Sequence, residues 1–144
     1  MAKPYQVAAI PVRRNTLGAI EVLLVTSRES HRWVVPKGWP WRKVKDHVAA
    51  AGEAWEEAGV RGRADPASIG TFTYEKRRKT AVRALKVLVY LLEVTEVAAT
   101  WPEHKQRQRD WFSPAAAARL VDEAALKDLL LALEPPSGED VEAA

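Results

Sequence analysis

The longest uninterrupted apolar run in the chain, VLVYLL at residues 87–92, constrains the possible folds most strongly. A membrane-spanning helix needs about 18 or more apolar residues in a row, and this run is far shorter. A short apolar run of this kind is typical of a strand buried inside a domain. Because 47% of the 144 residues are hydrophobic, the chain has enough apolar side chains for one such core.

Strand signals along the chain predict one domain that contains an extensive β-sheet. The hairpin signal lies at Asn15 to Gly18, where a glycine supplies the backbone freedom of a tight turn. The predicted strands cover residues 6–13, 20–26, 33–35, 67–76, 81–95 and 111–112.

Two helical segments are predicted to cover this sheet. The first has Asp46 as its N-cap, spans residues 47–58 and ends at Gly59. The second covers residues 114–133 and is expected to break near Asp122. Together with the strands, these helices indicate an α/β domain.

The charge distribution favours an anionic small-molecule partner. The net charge is +3, and the segment 134–144 contains four acidic residues and no basic residue, which predicts a disordered tail after a domain at 1–133. The basic domain suits a polyphosphate substrate. Nucleic acid is the less favoured alternative, because the chain has no recognisable nucleic-acid-binding motif.

Cysteine usage and the N-terminus indicate the compartment. The chain has no cysteine, which excludes disulfides and thiolate metal sites. Its N-terminus lacks the apolar segment and cleavage site of a signal peptide. A cytoplasmic protein, monomeric or homodimeric and without membrane attachment, is therefore expected.

Three carboxylates, Glu53, Glu56 and Glu57, crowd one side of the first predicted helix. Residues three and four apart share a helix face, so these like charges repel one another. Mg²⁺ prefers oxygen ligands and would offset that repulsion. The alternative is a solvated acidic surface whose charges are paired with lysines.

The spacing of a longer motif favours the metal site. A glycine at 38, the three glutamates, Gly59 and Val60 stand where the Nudix box places a glycine, its helix glutamates, a glycine and an apolar residue. The chain therefore resembles the Nudix hydrolase family. The segments SRESHRWVVPKGW (27–39) and WPEHKQRQRDWF (101–112) resemble the diphosphoinositol polyphosphate and diadenosine polyphosphate hydrolase branch.

This resemblance implies a Nudix-type α/β/α sandwich with a mixed β-sheet. It also implies hydrolysis of a phosphoanhydride, dependent on Mg²⁺ or Mn²⁺, in a nucleoside-diphosphate-linked or diphosphoinositol-type polyphosphate. Glu53, Glu57 and the backbone carbonyl of Gly38 are the predicted metal ligands. Glu56 is the predicted general base, although the roles of Glu56 and Glu57 are interchangeable at this stage.

Five basic residues are predicted to hold the substrate phosphates. Lys37 is adjacent to the metal-site glycine, and Arg109 matches a basic position before an aromatic pair in the resembled hydrolases. The other three flank a turn and the strand after it, where an exposed basic hairpin is the equally weighted alternative. The full set is Lys37, Arg77, Arg78, Arg83 and Arg109.

Three further side chains carry open alternatives. Trp39 and Trp41 lie in the loop beside the predicted site, where packing is slightly favoured over stacking on a base. Glu103 is a weaker candidate for an additional carboxylate.

Two positions depart from the box. Val44 replaces a glutamate, and Gly52 replaces an arginine that, in the family, pairs with the box glutamates and orients them. Arg42, Lys43 and Lys45 are the candidate substitutes for that arginine. The chain is then either an enzyme with a loosened site or a catalytically weakened domain that binds a nucleotide as a sensor. If the site is merely loosened, Gly52→Arg is expected to raise activity.

Overall fold

Strand β1 (Tyr5–Arg14) is buried on both sides in the computed structural model, which describes residues 4–77 and 81–134. Its side chains alternate between two apolar clusters: Ala8 and Ile10 enter one, and Val7 and Ala9 enter the other. Successive residues of a strand face opposite sides of a sheet, so both faces must be covered.

The described residues form an eight-stranded mixed sheet. Its central path runs β3-β2-β1-β7-β5, while β4 pairs with β1, β6 with β7 and β8 with β2. Strands β1 and β7 are parallel, and the other pairs are antiparallel. Beyond β1, the strands are β2 (Ile20–Thr26), β3 (Trp33–Val34), β4 (Lys37–Gly38), β5 (Val60–Ala64), β6 (Gly70–Arg77), β7 (Val82–Val97) and β8 (Arg109–Phe112).

Three helices within the described residues cover the two faces of the sheet. Helix α1 (Asp46–Ala58) packs its buried alanines against Val7 and Leu23. Helices α2 (Pro114–Leu120) and α3 (Ala124–Leu131) cover the opposite face. This arrangement confirms the predicted α/β/α sandwich with a mixed sheet. None of the described helices has the length and apolar character needed to cross a membrane.

The structure corrects the predicted start of α1. The N-cap position belongs to Lys45, whose side chain makes no capping bond, while Asp46 lies inside the helix and accepts a hydrogen bond from Tyr5 Oη at 2.5 Å. The predicted end is confirmed. Gly59 has a φ of 69° and donates its backbone N–H to the carbonyl of Trp55, closing the helix in a left-handed conformation that glycine adopts without strain.

Other boundaries also differ from expectation. Strand β5 was not predicted, and the segment predicted as one strand at 33–35 contributes only residues 33–34 to β3, with the unpredicted β4 following at 37–38. The predicted break near Asp122 is confirmed, since α2 and α3 are separate helices. The predicted disorder of the tail concerns residues that, apart from Glu134, lie outside those described.

Candidate active site

The carboxylate of Glu53 lies between Gly38 and Trp41. Trp41 Nε1 donates a hydrogen bond to Glu53 Oε2 at 2.9 Å. On the other side, a Cβ added to Gly38 would lie 2.4 Å from the Glu53 carboxyl carbon, so only glycine leaves room for this approach. Burial raises the pKa of Glu53 above its ordinary value, and the indole hydrogen bond opposes that rise.

Glu57 is the most deeply buried of the three box glutamates, with 7% of its surface exposed. Its Oε1 accepts a long hydrogen bond of 3.4 Å from the backbone N–H of Lys37, and its Oε2 lies 3.7 Å from the guanidinium of Arg107. Burial raises the pKa of Glu57 to about 8, because the loss of hydration outweighs the opposing charge of Arg107.

Arg107 is a site residue that the sequence interpretation missed. Its side chain is 9% exposed, its Nε donates to Glu103 Oε1 at 2.7 Å, and its Nη1 donates to the carbonyl of Thr26 at 3.0 Å. Arg107 therefore bridges two carboxylates, Glu57 and Glu103. The available signal was the Glu103–Arg107 pair inside the family-like segment 101–112.

The end of α1 is fixed by the same segment. The last carbonyls of a helix have no partner within the helix, and three of them here accept hydrogen bonds from residues 101–109. The bonds run from Glu103 N to Glu56 O (3.1 Å), from Trp101 Nε1 to Glu57 O (2.9 Å) and from Arg109 Nη1 to Ala58 O (2.8 Å). The helix that carries the glutamates is thereby held against this segment.

The predicted phosphate-binding residues occupy different places. Arg109 donates to the carbonyls of Ala58 and Ala98, and its guanidinium lies 3.9 Å from the ring centroid of Trp101, so its donors are used at the end of α1. Arg83 is exposed on β7, where it lies opposite Lys76 of β6 in the strand register. The phosphate-binding roles of these residues stay predictions.

Lys37 faces away from α1. In the strand register it lies opposite Ala8 of β1, whose side chain enters the apolar cluster on the α2 and α3 side of the sheet. The Lys37 ammonium lies 4.8 Å from the ring centroid of Tyr74. Burial lowers the pKa of Lys37, with Glu57 opposing that shift. Arg77 ends β6, but its side chain, like all of Arg78, lies outside what the structure describes.

Glu56 is half-buried and lies on α1 three residues after Glu53. Its charge contributes to the raised pKa of Glu53, so the two carboxylates are close enough to influence each other. The assignment of Glu56 as the base, and of Glu53, Glu57 and Gly38 as metal ligands, stays a prediction.

The donors at this site fit a hard divalent cation. Within residues 4–77 and 81–134, no three His, Asp or Glu side chains are gathered as a complete set of metal ligands. Mg²⁺, however, commonly binds through one or two carboxylates and completes its shell with water and substrate phosphates. The half-buried Glu53 and the buried Glu57 both have raised pKa values, so their oxygens are available to such a cation, whose charge would stabilise their ionised forms.

The space at Gly52 is filled by an indole ring. A Cβ added to Gly52 would lie 2.2 Å from Cη2 of Trp41 and 2.6 Å from its Cζ2. The expected substitutes for the missing arginine, Arg42, Lys43 and Lys45, are exposed. Trp41 is therefore the side chain that reaches Glu53, and the packing interpretation of this tryptophan is favoured.

Comparison with known proteins places these features in a family context. A model of the NUDIX domain matches residues 3–133. Diphosphoinositol polyphosphate phosphohydrolase 3-beta of Bos taurus is 34% identical over 130 residues, covering 84% of this chain and 76% of that protein. Nudix hydrolase 12, mitochondrial, of Arabidopsis thaliana is 33% identical over 124 residues, covering 80% of this chain and 61% of the plant protein. The chain thus spans only about three fifths of the plant protein's length.

Solved structures show the same fold. A Caenorhabditis elegans Ap4A hydrolase binary complex superposes with a TM-score of 0.64 at 23% identity, covering 89% of this chain and 93% of that one. The Escherichia coli dihydroneopterin triphosphate pyrophosphohydrolase superposes with a TM-score of 0.67 at 15% identity, covering 90% and 93%.

Proposed function

Because the chain belongs to the NUDIX domain family, we propose that it is a divalent-metal-dependent pyrophosphohydrolase that cleaves a phosphoanhydride bond of a small polyphosphate. The observation that carries this proposal is the placement of a half-buried carboxyl, Glu53, and a buried one, Glu57, one helical turn apart on a helix whose end is held by hydrogen bonds. Such a cluster is costly unless a cation compensates its charge.

The residues divide the chemistry among them. Glu53, Glu57 and the Gly38 carbonyl would hold the cation, which neutralises charge on the phosphate oxygens when it is bound. Glu56 accepts the proton of the attacking water, whose oxygen bonds to phosphorus as the bridging P–O bond breaks and the leaving phosphate takes the electron pair. Arg107 holds the Glu57 carboxylate in place through its charge.

The proposed substrates are diphosphoinositol polyphosphates or diadenosine polyphosphates. This choice rests on the names of the similar bovine protein and of the nematode structure, together with the basic domain. Magnesium as the metal, with manganese as the alternative, a cytoplasmic location and a monomeric or homodimeric state belong to the same proposal.

Phosphate release from a panel of these substrates tests the proposal. The wild type is compared with Glu56→Gln, with and without Mg²⁺, and Glu96→Gln serves as an exposed control on β7. Removing a general base lowers turnover by about 10² to 10⁴-fold. We expect a loss of that size in Glu56→Gln and none in Glu96→Gln.

Turnover that is unchanged without Mg²⁺, or unchanged in Glu56→Gln, would contradict the mechanism. No turnover on any substrate, with a nucleotide still bound, would identify the alternative function, a weakened Nudix domain that acts as a sensor. The departures at Val44 and Gly52 are the observations that favour that alternative.

A further inference from the structure

The two departures from the family box, Val44 and Gly52, meet at one side chain, Trp41. Val44 packs against the apolar cluster beneath α1, and its backbone N–H donates to the carbonyl of Trp41 at 3.3 Å. Lys43, with a φ of 60°, lies within the resulting turn. Gly52 then leaves the space on the helix surface that the indole occupies. The apolar side chain of Val44 and the absence of a Cβ at position 52 together allow the Trp41 ring to lie against the helix.

The indole does more than fill space. Its Nε1 points at Glu53 Oε2, 2.9 Å away, and the same carboxyl group is confined on its other side by the backbone of Gly38. Trp41 is 36% exposed, so burial in the core does not account for its placement. A ring that only covered the helix would have no need to direct its one hydrogen-bond donor at a box glutamate.

We propose that Trp41 is a positioning residue that orients Glu53 for metal binding, in place of an arginine at position 52. Val44 and Gly52 are then the paired changes that admit it, rather than damage to the site. This inference rests on the proposed function, since it concerns a carboxylate assigned there to the metal. A neutral donor also orients the carboxylate without placing a second cation beside the metal.

Trp41→Phe tests this role, because it keeps an aromatic side chain at position 41 and removes the N–H donor, together with the outer edge of the indole that lies on Gly52. Mn²⁺ binding without substrate, measured by electron paramagnetic resonance, reads the effect directly. Loss of a group that orients a metal ligand weakens affinity by about tenfold or more. We expect that loss in Trp41→Phe, with a lower kcat and little change in KM.

Trp111→Phe is the matched control, because it removes an indole N–H on β8, where the Trp111 ring packs beneath the guanidinium of Arg13. It should leave Mn²⁺ affinity and kcat unchanged. An exchange adds a second test: Trp41→Gly combined with Gly52→Arg should bind Mn²⁺ more tightly than Trp41→Gly alone. Failure of this rescue would count against the shared role of the two positions.

The outcomes separate this inference from the proposed function. Equal Mn²⁺ affinity in the wild type and Trp41→Phe would overturn the inference, whether or not the enzyme is active. An inactive wild type whose Mn²⁺ affinity falls in Trp41→Phe would refute the hydrolase proposal and keep the positioning role. A wild type that binds no Mn²⁺ would contradict both.

Discussion

Substituting Gly52 by alanine should destabilise this protein, although the same change usually stabilises a helix. Alanine in a helix interior is favoured over glycine by about 1 kcal/mol. Here the new Cβ would stand 2.2, 2.6 and 2.9 Å from three ring atoms of Trp41, well inside the ~3.5 Å of normal carbon contact. The indole must therefore move or the helix must distort.

The expected net effect is a loss of about 1 kcal/mol in the free energy of unfolding. Overpacking costs about 1 kcal/mol at the low end of its range, and losing the Trp41–Glu53 hydrogen bond costs about 1 kcal/mol for a partly exposed partner. These costs exceed the helix gain. In a Trp41→Ala background neither cost applies, so Gly52→Ala should stabilise by about 1 kcal/mol.

Urea unfolding followed by far-ultraviolet circular dichroism measures all four corners of this cycle. A coupling of about 2 kcal/mol between positions 41 and 52 is expected, with the sign of Gly52→Ala reversed between the two backgrounds. In thermal unfolding each 1 kcal/mol corresponds to about 4 °C for a domain of this size. Equal stabilisation by Gly52→Ala in both backgrounds would refute the packing of the indole on Gly52.

Four further expectations concern the buried groups around Glu57 and the packing of Trp41 on Gly52. Mn²⁺ affinity, measured by titration, should rise as the pH increases toward about 8, because the cation must displace the proton that burial holds on Glu57. The folded state holds that proton more tightly than the unfolded chain, so unfolding titrations should show the stability due to Glu57 decreasing as pH rises from about 4.5 to about 8. Above about pH 8, where Glu57 is ionised, Arg107→Ala should lower the free energy of unfolding in urea by about 3 kcal/mol, because it leaves the buried Glu57 carboxylate without its cation. Gly52→Arg alone should lower turnover, contrary to the sequence-based expectation, because the added side chain displaces Trp41.

Glu57→Gln and Arg63→Ala are the control variants for these expectations. Glu57→Gln should weaken the pH dependence of Mn²⁺ affinity, leaving the part due to Glu53, and a flat wild-type profile would contradict the pKa assigned to Glu57. Arg63→Ala removes an 83% exposed guanidinium 3.8 Å from Glu93 and should change stability by less than about 1 kcal/mol. If Arg63→Ala lowers the free energy of unfolding as much as Arg107→Ala does, burial of the guanidinium is not the cause of the Arg107 effect. Faster turnover in Gly52→Arg would restore the view of a merely loosened site.

Local signals made much of the fold predictable. The turn at Asn15 to Gly18 carries its own hydrogen bonds, with the Asn15 side chain accepting from the backbone of Leu17 and Ala19. Gly59 ends α1 because glycine adopts the left-handed backbone conformation found there without strain. The alternation of β1 and the glutamate spacing of α1 likewise depend on neighbours within a few residues.

The missed features depend on residues distant in sequence. Arg107 reaches Glu57 only because β8 pairs with β2 and brings segment 101–112 beside α1. The hydrogen bond of Trp41 to Glu53 joins a loop to a helix face, and periodicity does not encode it. Residue type alone predicts Asp46 as a helix cap, whereas in the structure it accepts a hydrogen bond from Tyr5 on β1.

A structure of the protein with Mn²⁺ and a nonhydrolysable dinucleoside polyphosphate would test the central claim most directly. The metal should lie on the carboxylates of Glu53 and Glu57 and on the Gly38 carbonyl, while the Trp41 indole stays over Gly52 and donates to Glu53. A metal bound away from these glutamates, or an indole turned away from Gly52, would contradict the account.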